Sequence, residues 1–370
     1  MRSIVIVKTS AIGDVIQTFL VLEYLRKKFP SSRIDWVVEE GIAPLLKAHP
    51  MLDQVIEIQT KSWRRAPFSR ETRAQFKAFV KILRATHYDL AIDLQGNTKS
   101  ALVTASAKAT IKLGYDWQSV REKANLIATN TRFNIPFSNI RLKYLHLVQT
   151  YFNDQIKFQA EGVHLQLTSV EQERLEAICP QKSCLQKPCL QKPCLQKPCL
   201  MVCFGSKWAN KRLNETTLLT LLQNIAKEYE FSFLLIYGDN DEKAVAESLS
   251  ASLGARATIC GNLSLPLWQA LMWEVDGVIA VDSAALHLCG TTRTPSFSIF
   301  GPSLASSYKP PEDRHLAVQG ACPYGRSFTP RCPVLRTCAT GACIRDLKAE
   351  ELFIAFQHWA EMNLPSVKIC

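Results

Sequence analysis

Short runs of aliphatic and β-branched residues, each followed by a stretch with helical spacing, recur along the chain. This alternation constrains the fold more than any other feature. Ile4 to Val7 is the first run, short and wholly apolar, as a buried parallel strand requires. Asp14 to Phe29 then carries apolar residues at Val15, Ile16, Phe19 and Leu22, which predicts a helix with one buried face. The pattern continues with a strand over Ile34 to Val38, a short helix over Gly41 to Lys47, a strand over Gln54 to Ile58, a helix over Glu71 to Thr86 and a buried strand over Tyr88 to Leu94. Strands that alternate with helices form βαβ units, and these build a doubly wound parallel sheet.

The second half repeats the scheme. Strands are expected at Leu200 to Phe204, Phe231 to Tyr237, Gly277 to Val281 and Ser296 to Phe300. Helices are expected at Glu215 to Glu228, Asp241 to Leu253 and Lys348 to Met362. A chain of 370 residues with 47% apolar content can fill two cores. The expected division is an N-terminal domain over 1–165, a linker over 166–199, a C-terminal domain over 200–345 and a closing helix and tail over 346–370. Two such sheets in succession are expected to leave a cleft between them, with ligands beyond the carboxyl ends of the strands.

The linker contains a tandem repeat. Cys184-Leu185-Gln186-Lys187-Pro188 recurs from Cys189 and from Cys194, and Cys179 opens a degenerate copy. A period of five matches neither helix nor strand, and proline in every copy blocks both. The expected role is an expanded loop; regular cysteines could also bind a metal, but nothing in the repeat fixes their geometry. The chain has thirteen cysteines, an odd number, so a full disulfide framework is not expected. The opening apolar run is too short for a signal peptide, and no run approaches the ~20 residues of a membrane helix. A cytoplasmic location is therefore expected.

A net charge of +11 points to an anionic partner. Lys61, Arg64, Arg65, Arg70 and Arg73 cluster around a single acid, Glu71, with Trp63 and Phe68 among them. As charge alone this reads as a solvated loop; the aromatic residues suggest a surface that meets something amphiphilic. No nucleic-acid-binding module is recognisable, so nucleic acid is not expected as a partner.

The first strand ends in Lys8-Thr9-Ser10-Ala11-Ile12-Gly13-Asp14. This is neither G-x-G-x-x-G nor a P-loop, which removes the main support for a dinucleotide dehydrogenase or a P-loop ATPase. By local sequence Asp14 reads as a helix cap as readily as a catalytic acid.

The motif K-T-S-A-I-G-D-V resembles the opening of the lipopolysaccharide heptosyltransferases, glycosyltransferase family 9, whose pattern is K-x-S-x-x-G-D. Further matches follow in register: Asp35 to Gly41, Lys61 to Ser69, Tyr88 to Gly96 with Lys99-Ser100-Ala101, and Gly114 to Glu122. The similarity is strongest to the type I members. It spans the chain except the repeat and the region after about Gly320.

The resemblance implies the GT-B fold, with two Rossmann-like domains, acceptor on the first and donor on the second. It implies inverting transfer of L-glycero-D-manno-heptose from ADP-heptose to a Kdo residue of the lipopolysaccharide inner core. Asp14 is then the general base, and Lys61, Arg64, Arg65 and Arg121 meet the anionic acceptor. The implied partners are ADP-heptose, Kdo-bearing lipid A and, peripherally, the inner face of the cytoplasmic membrane.

On the donor side, Phe204 to Arg212 is similar to the family's donor loop, with Ser206 and Lys211 at the diphosphate; Leu213-Asn214 stands where Trp-Pro is usual. Glu242 falls where the family places an acid that grips sugar-nucleotide hydroxyls, and by itself it reads equally as an acid at a helix N-terminus. Asp282-Ser283-Ala284-Ala285-Leu286-His287 is similar to D-[ST]-G-x-x-H, with Ala284 in place of glycine. Asp282, Ser283 and His287 are thereby implied in donor binding.

No cofactor or metal is expected, because no D-x-D pair is placed to hold a diphosphate-bound cation. Cys322, Cys332, Cys338 and Cys343 do not have zinc-ribbon spacing and are expected to form a structural loop, with metal or redox use as the lesser alternative. A type II enzyme, another family 9 transferase with a different acceptor, and a weakened sugar-nucleotide-binding paralogue remain alternatives.

Overall fold

The computed structural model describes residues 1–136, 138–179 and 198–364. The repeat copies from Cys184, Cys189 and Cys194 lie outside them, apart from the closing Pro198. The chain divides into two compact units, Met1–Glu161 and Gly162–Cys370.

The first unit holds β1 (Ser3–Val7), β2 (Arg33–Glu39), β3 (Gln54–Ile58), β4 (Tyr88–Asp93), β5 (Ala109–Tyr115) and β6 (Thr131–Phe133). Its helices are α1 (Ile12–Gln17), α2 (Phe19–Lys28), α3 (Ala43–Lys47), α4 (Thr60–Arg65), α5 (Arg70–Leu83), α6 (Thr98–Ser106) and α7 (Ile140–Tyr151). The second unit holds β7 (Cys199–Cys203), β8 (Ser232–Tyr237), β9 (Ala257–Gly261), β10 (Gly277–Val281), β11 (Ser296–Phe300) and β12 (His315–Gln319). Its helices are α8 (Ser169–Ile178), α9 (Glu215–Glu228), α10 (Asn240–Leu253), α11 (Leu265–Glu274), α12 (Ala284–Cys289), α13 (Ala305–Tyr308), α14 (Ala342–Arg345) and α15 (Ala349–Asn363).

Both sheets have six parallel strands. The orders are β3-β2-β1-β4-β5-β6 and β12-β11-β10-β7-β8-β9, the same topology read from opposite edges. Each reverses its order of addition once, between β1 and β4 and between β7 and β10. A reversal sends the flanking connections to opposite faces and leaves a crevice at the carboxyl edge.

The central strands are buried on both faces because helices cover both. Ile4, Val5, Ile6 and Val7 are fully buried, as are Leu200, Met201 and Val202. In the second unit α15 seals one face of the sheet. Phe356 meets Phe297 edge-on, with ring centroids 5.7 Å apart, and Trp359 at 5.4 Å. The Trp359 indole N–H donates to the Arg314 carbonyl at 3.1 Å, which satisfies its one polar atom.

Two expectations need correction. The helix expected over Asp14 to Phe29 is two helices joined at Thr18. There the backbone N–H donates to the Val15 carbonyl at 3.0 Å, an i−3 bond, while the hydroxyl donates to the Asp14 carbonyl at 2.9 Å. The basic-aromatic segment read as a loop contains a helix, α4, and Trp63 is buried against Phe76 and Phe79. Only Phe68 of the two aromatic residues is exposed. Among the described residues no helix is long and apolar enough to cross a membrane.

Phe356 is fully buried among aromatic neighbours that cannot collapse into its space. Phe356→Ala is expected to cost about 3–5 kcal/mol, seen as a lower denaturant midpoint. A loss below about 1 kcal/mol would mean that α15 contributes little to this core.

Candidate functional site

At the carboxyl edge of the first sheet, the loops after β1 and β4 are tied together. The Asp93 carboxylate ends β4 and accepts from the N–H groups of Gln95 at 3.0 Å and Gly96 at 2.9 Å. Its other oxygen accepts from Asn125 Nδ2 at 2.7 Å and Thr104 Oγ1 at 3.1 Å. Asp93 is therefore saturated and serves to shape the loop. That loop turns at Gly96, whose φ of +66° is the left-handed region glycine favours. Gln95 Oε1 then accepts from the N–H groups of Thr9 at 3.2 Å and Ser10 at 3.3 Å. One switch-point loop thus holds the other.

Asp14 stands at the third position of α1, partly exposed, and its Oδ2 accepts from the Ala11 N–H at 3.4 Å. This long contact makes it a weak cap and leaves the carboxylate largely available. Lys8, in the same loop, is buried; its ammonium donates to Tyr144 Oη at 2.7 Å and to the Leu94 carbonyl at 3.2 Å. Burial pulls its pKa down to about 8 against the pull of Asp14 and Asp93, with Arg121 and Lys143 adding repulsion. Lys8, Asp14, Asp93 and Arg121 therefore share one electrostatic environment.

Lys61, Arg64 and Arg65 lie on α4 after β3, exposed and without an ion pair to any described residue. Arg121 is exposed in the turn after β5, beside Gly96. β3 and β5 are four positions apart in the sheet, about 19 Å at ordinary strand spacing. The structure does not gather these cations into one cluster. It sets them on either side of the β1 loop that carries Asp14. The α4 side is anchored by Glu39 at the end of β2, whose Oε1 accepts from Thr60 Oγ1 and from Lys99 Nζ at 2.9 Å.

The second sheet repeats the arrangement with different chemistry. Lys211, in the turn after β7, and Asp282, directly after β10, are both buried, and the Lys211 ammonium donates to Asp282 Oδ2. His287 Nε2 lies 3.9 Å from the other carboxylate oxygen. Burial alone would raise the Asp282 carboxyl pKa; Lys211 and His287 outweigh it and hold the group below its usual range. Ser283 is the residue just before α12, with its hydroxyl buried and unpartnered. Thr9 Oγ1, in the loop after β1 of the first unit, is also buried without a partner. Orphaned buried hydroxyls are uncommon in folded proteins.

Ser206 and Glu242 are joined through Arg212. The Arg212 guanidinium donates to the Ser206 carbonyl at 2.7 Å and pairs with Glu242 Oε1 at 3.2 Å. Glu242 Oε2 accepts from the Gly238 N–H at 2.8 Å, and a Cβ on Gly205 would collide with this carboxylate. Sequence reasoning did not single out Lys8, Gln95 or Arg212. The available signal was their position, since each is a polar residue just past a strand end inside a matched motif.

The departures from the family pattern are accommodated. Ala284 is not at a positive φ, so its methyl group brings no backbone strain. Leu213 packs against the second core.

The family model for glycosyltransferase family 9 (heptosyltransferase) matches residues 76–335, well over half of the chain. The chain belongs to glycosyltransferase family 9. Within it, lipopolysaccharide heptosyltransferase 1 of Escherichia coli K12 is 39% identical over 132 residues, 36% of this chain and 41% of that protein. The matched stretch thus spans about two-fifths of that relative's length. Lipopolysaccharide heptosyltransferase 1 of Campylobacter coli is 28% identical over 314 residues, covering 83% of this chain and 86% of that one. The structure of E. coli heptosyltransferase WaaC with ADP superposes with a TM-score of 0.74 at 23% identity, covering 98% of this chain and 99% of the other. The fold is GT-B.

Lys8→Met tests the buried ammonium. The folded pKa of about 8 lies below the ordinary 10.5, so between those values the unfolded chain holds the extra proton and stability rises with pH. The wild-type protein should gain about 2–3 kcal/mol relative to Lys8→Met as pH rises from 7 towards 10.5, read from denaturant midpoints. A constant gap between the two across that range would show that Lys8 is not desolvated.

Proposed function

We propose that the chain is an inverting glycosyltransferase that moves L-glycero-D-manno-heptose from ADP-heptose to a Kdo hydroxyl of the lipopolysaccharide inner core. One observation carries the reading: a partly exposed carboxylate, Asp14, at the switch point of one sheet, and a buried Lys211–Asp282–His287 set at the same place in the other. The relatives' shared name, lipopolysaccharide heptosyltransferase 1, supports heptosyl transfer to lipopolysaccharide.

Asp14 acts as general base. It accepts the proton of the attacking Kdo hydroxyl as that oxygen bonds to the anomeric carbon and the ADP oxygen leaves. Lys211 takes the charge developing on the departing diphosphate, exchanging part of its contact with Asp282 for phosphate oxygen. Asp282 then turns to the sugar hydroxyls, and Ser283 Oγ supplies a hydrogen bond that the free protein leaves unmade. Ser206, Glu242 and Arg212 frame the nucleotide side.

The acceptor bears phosphates and carboxylates. Cations on both sides of Asp14 hold it at two ends, with Arg64, Arg65 and Arg121 suited to bidentate pairing. Exposed Phe68, among Arg64, Arg65, Arg70 and Arg73, would touch the cytoplasmic face of the membrane where the lipid A acceptor resides.

With ADP-heptose and Kdo-bearing lipid A, ADP release should be saturable, and Asp14→Asn should slow turnover roughly 100-fold or more with ADP affinity unchanged. Near-normal turnover would return Asp14 to a helix cap; loss of ADP binding would place it on the donor instead. Because Lys211 supplies the charge at the diphosphate, adding Mg²⁺ to an EDTA-treated assay should leave the rate unchanged. A strong rise would require a cation at the diphosphate.

A further inference from the structure

Between β12 and α15 the chain makes a long excursion that the transfer reaction does not use. Its four cysteines, Cys322, Cys332, Cys338 and Cys343, line a single cavity of about 20 Å³. All three other thiols lie within electrostatic reach of Cys343. The remaining wall is mainly apolar, with Tyr324, Phe328 and Val334. A space this size holds about one water-sized species and excludes any organic ligand. Asn210 and Arg326 also reach the wall, but four sulfurs around one small space suit a soft cation.

The charge pattern points the same way. From Cys322 to Arg345 the chain carries Arg326, Arg331, Arg336 and Arg345 and no acidic residue. Four thiolates around a divalent cation leave two net negative charges, which nearby arginines can offset. Cys338 already receives the hydrogen bonds a metal-bound thiolate needs: the Gly341 backbone N–H points to it, and Thr340 Oγ1 lies 3.7 Å from its Sγ. Gly341, at φ +60°, makes the turn that allows this. Around Cys343 the backbone is glycine where space is tight, since a Cβ on Gly301 would come within 3.3 Å of its Sγ. Among the described residues no three ligand-type side chains stand as an assembled cage. The four thiols form an open set around the cavity, which a cation would draw together while displacing their protons.

We propose that Cys322, Cys332, Cys338 and Cys343 bind one thiophilic divalent cation as a structural tetrathiolate centre. The excursion is fastened to the turn that carries Lys211. Asn210 Nδ2 donates to the Leu335 carbonyl, Asn214 Nδ2 to the Arg345 carbonyl at 2.8 Å, and Arg345 Nη2 to the Ala209 carbonyl at 3.4 Å. The centre therefore braces that turn. This consequence rests on the donor-site reading; metal binding itself does not.

The test uses the full chain, reduced and metal-free, titrated with cobalt(II). Sulfur-to-cobalt charge-transfer bands and tetrahedral d–d bands should saturate at one equivalent and disappear on adding zinc. Cys338→Ser and Cys343→Ser should each weaken binding by more than the roughly 10–100-fold that altered supporting hydrogen bonds cost. Replacing Cys184, Cys189 and Cys194 together with serine should leave the titration unchanged. The unaltered protein alone decides the matter if a loop variant fails to fold. Absence of the bands, their loss in the repeat variant, or loop disulfides that survive only in a non-reduced mass spectrum would each overturn the proposal. If cobalt binds but ADP affinity is the same with and without it, the centre stands and the brace does not.

Discussion

Both units depend on one topological constraint, the reversal of strand order at the middle of a parallel sheet. Parallel strands need crossover helices, and right-handed crossovers cover one face until the order of addition reverses. At that point the loops from two adjacent strands diverge, and their backbone groups are not covered by helix on either side. In the first unit the two loops are those after β1 and β4, and Gln95 ties them through the N–H groups of Thr9 and Ser10. In the second they are those after β7 and β10, and Lys211 and Asp282 tie them through charge. The same crevice is closed by an amide in one sheet and an ion pair in the other. The difference follows the chemistry proposed for each: a largely free carboxylate beside the first, a cation able to meet a diphosphate in the second.

Buried charge is costly, and both crevices contain it. Lys8 gives up hydration for one phenol and one carbonyl, which is why its pKa falls. The Lys211–Asp282 pair regains more of the cost, because each charge faces its opposite and His287 stands close to the carboxylate. Apolar residues of similar volume often stabilise such buried positions as well as charges do. Stability therefore does not explain these residues, and their placement at strand ends does.

The buried strands were legible because covering both faces makes a strand uniformly apolar. β1, β7, β10 and β11 were all expected within a residue or two of where they lie. β5, β6, β9 and β12 were not, since they lie towards the sheet edges and are largely only partly buried; Lys112 in β5 and the partly buried start of β9 dilute the apolar signal. The α4 segment misled for a related reason. Trp63 reads as exposed among arginines in one dimension, and only the fold shows that its ring turns inward to Phe76 and Phe79. The candidate site was legible mainly through matched motifs. Arg212 and Lys8 were missed because an arginine that links two loops, or a lysine that enters a core, leaves no local pattern.

The two departures on the donor side bear on whether the crevice still works. Glycine at residue 284 would be required if the backbone there had to adopt a left-handed turn, but the residue begins α12 with no positive φ. What alanine adds is one methyl group, so any effect falls on how near a phosphate can come and leaves the loop's shape intact. Leu213 is a different case. Its side chain joins the second core and fixes the chain just after Lys211, the task an apolar residue there can perform whatever its shape. Arg212 between them holds Ser206 and Glu242, so the turn is clamped on both sides of the lysine. The substitutions thus fall on packing and close approach, while the charges that would meet the donor remain in place.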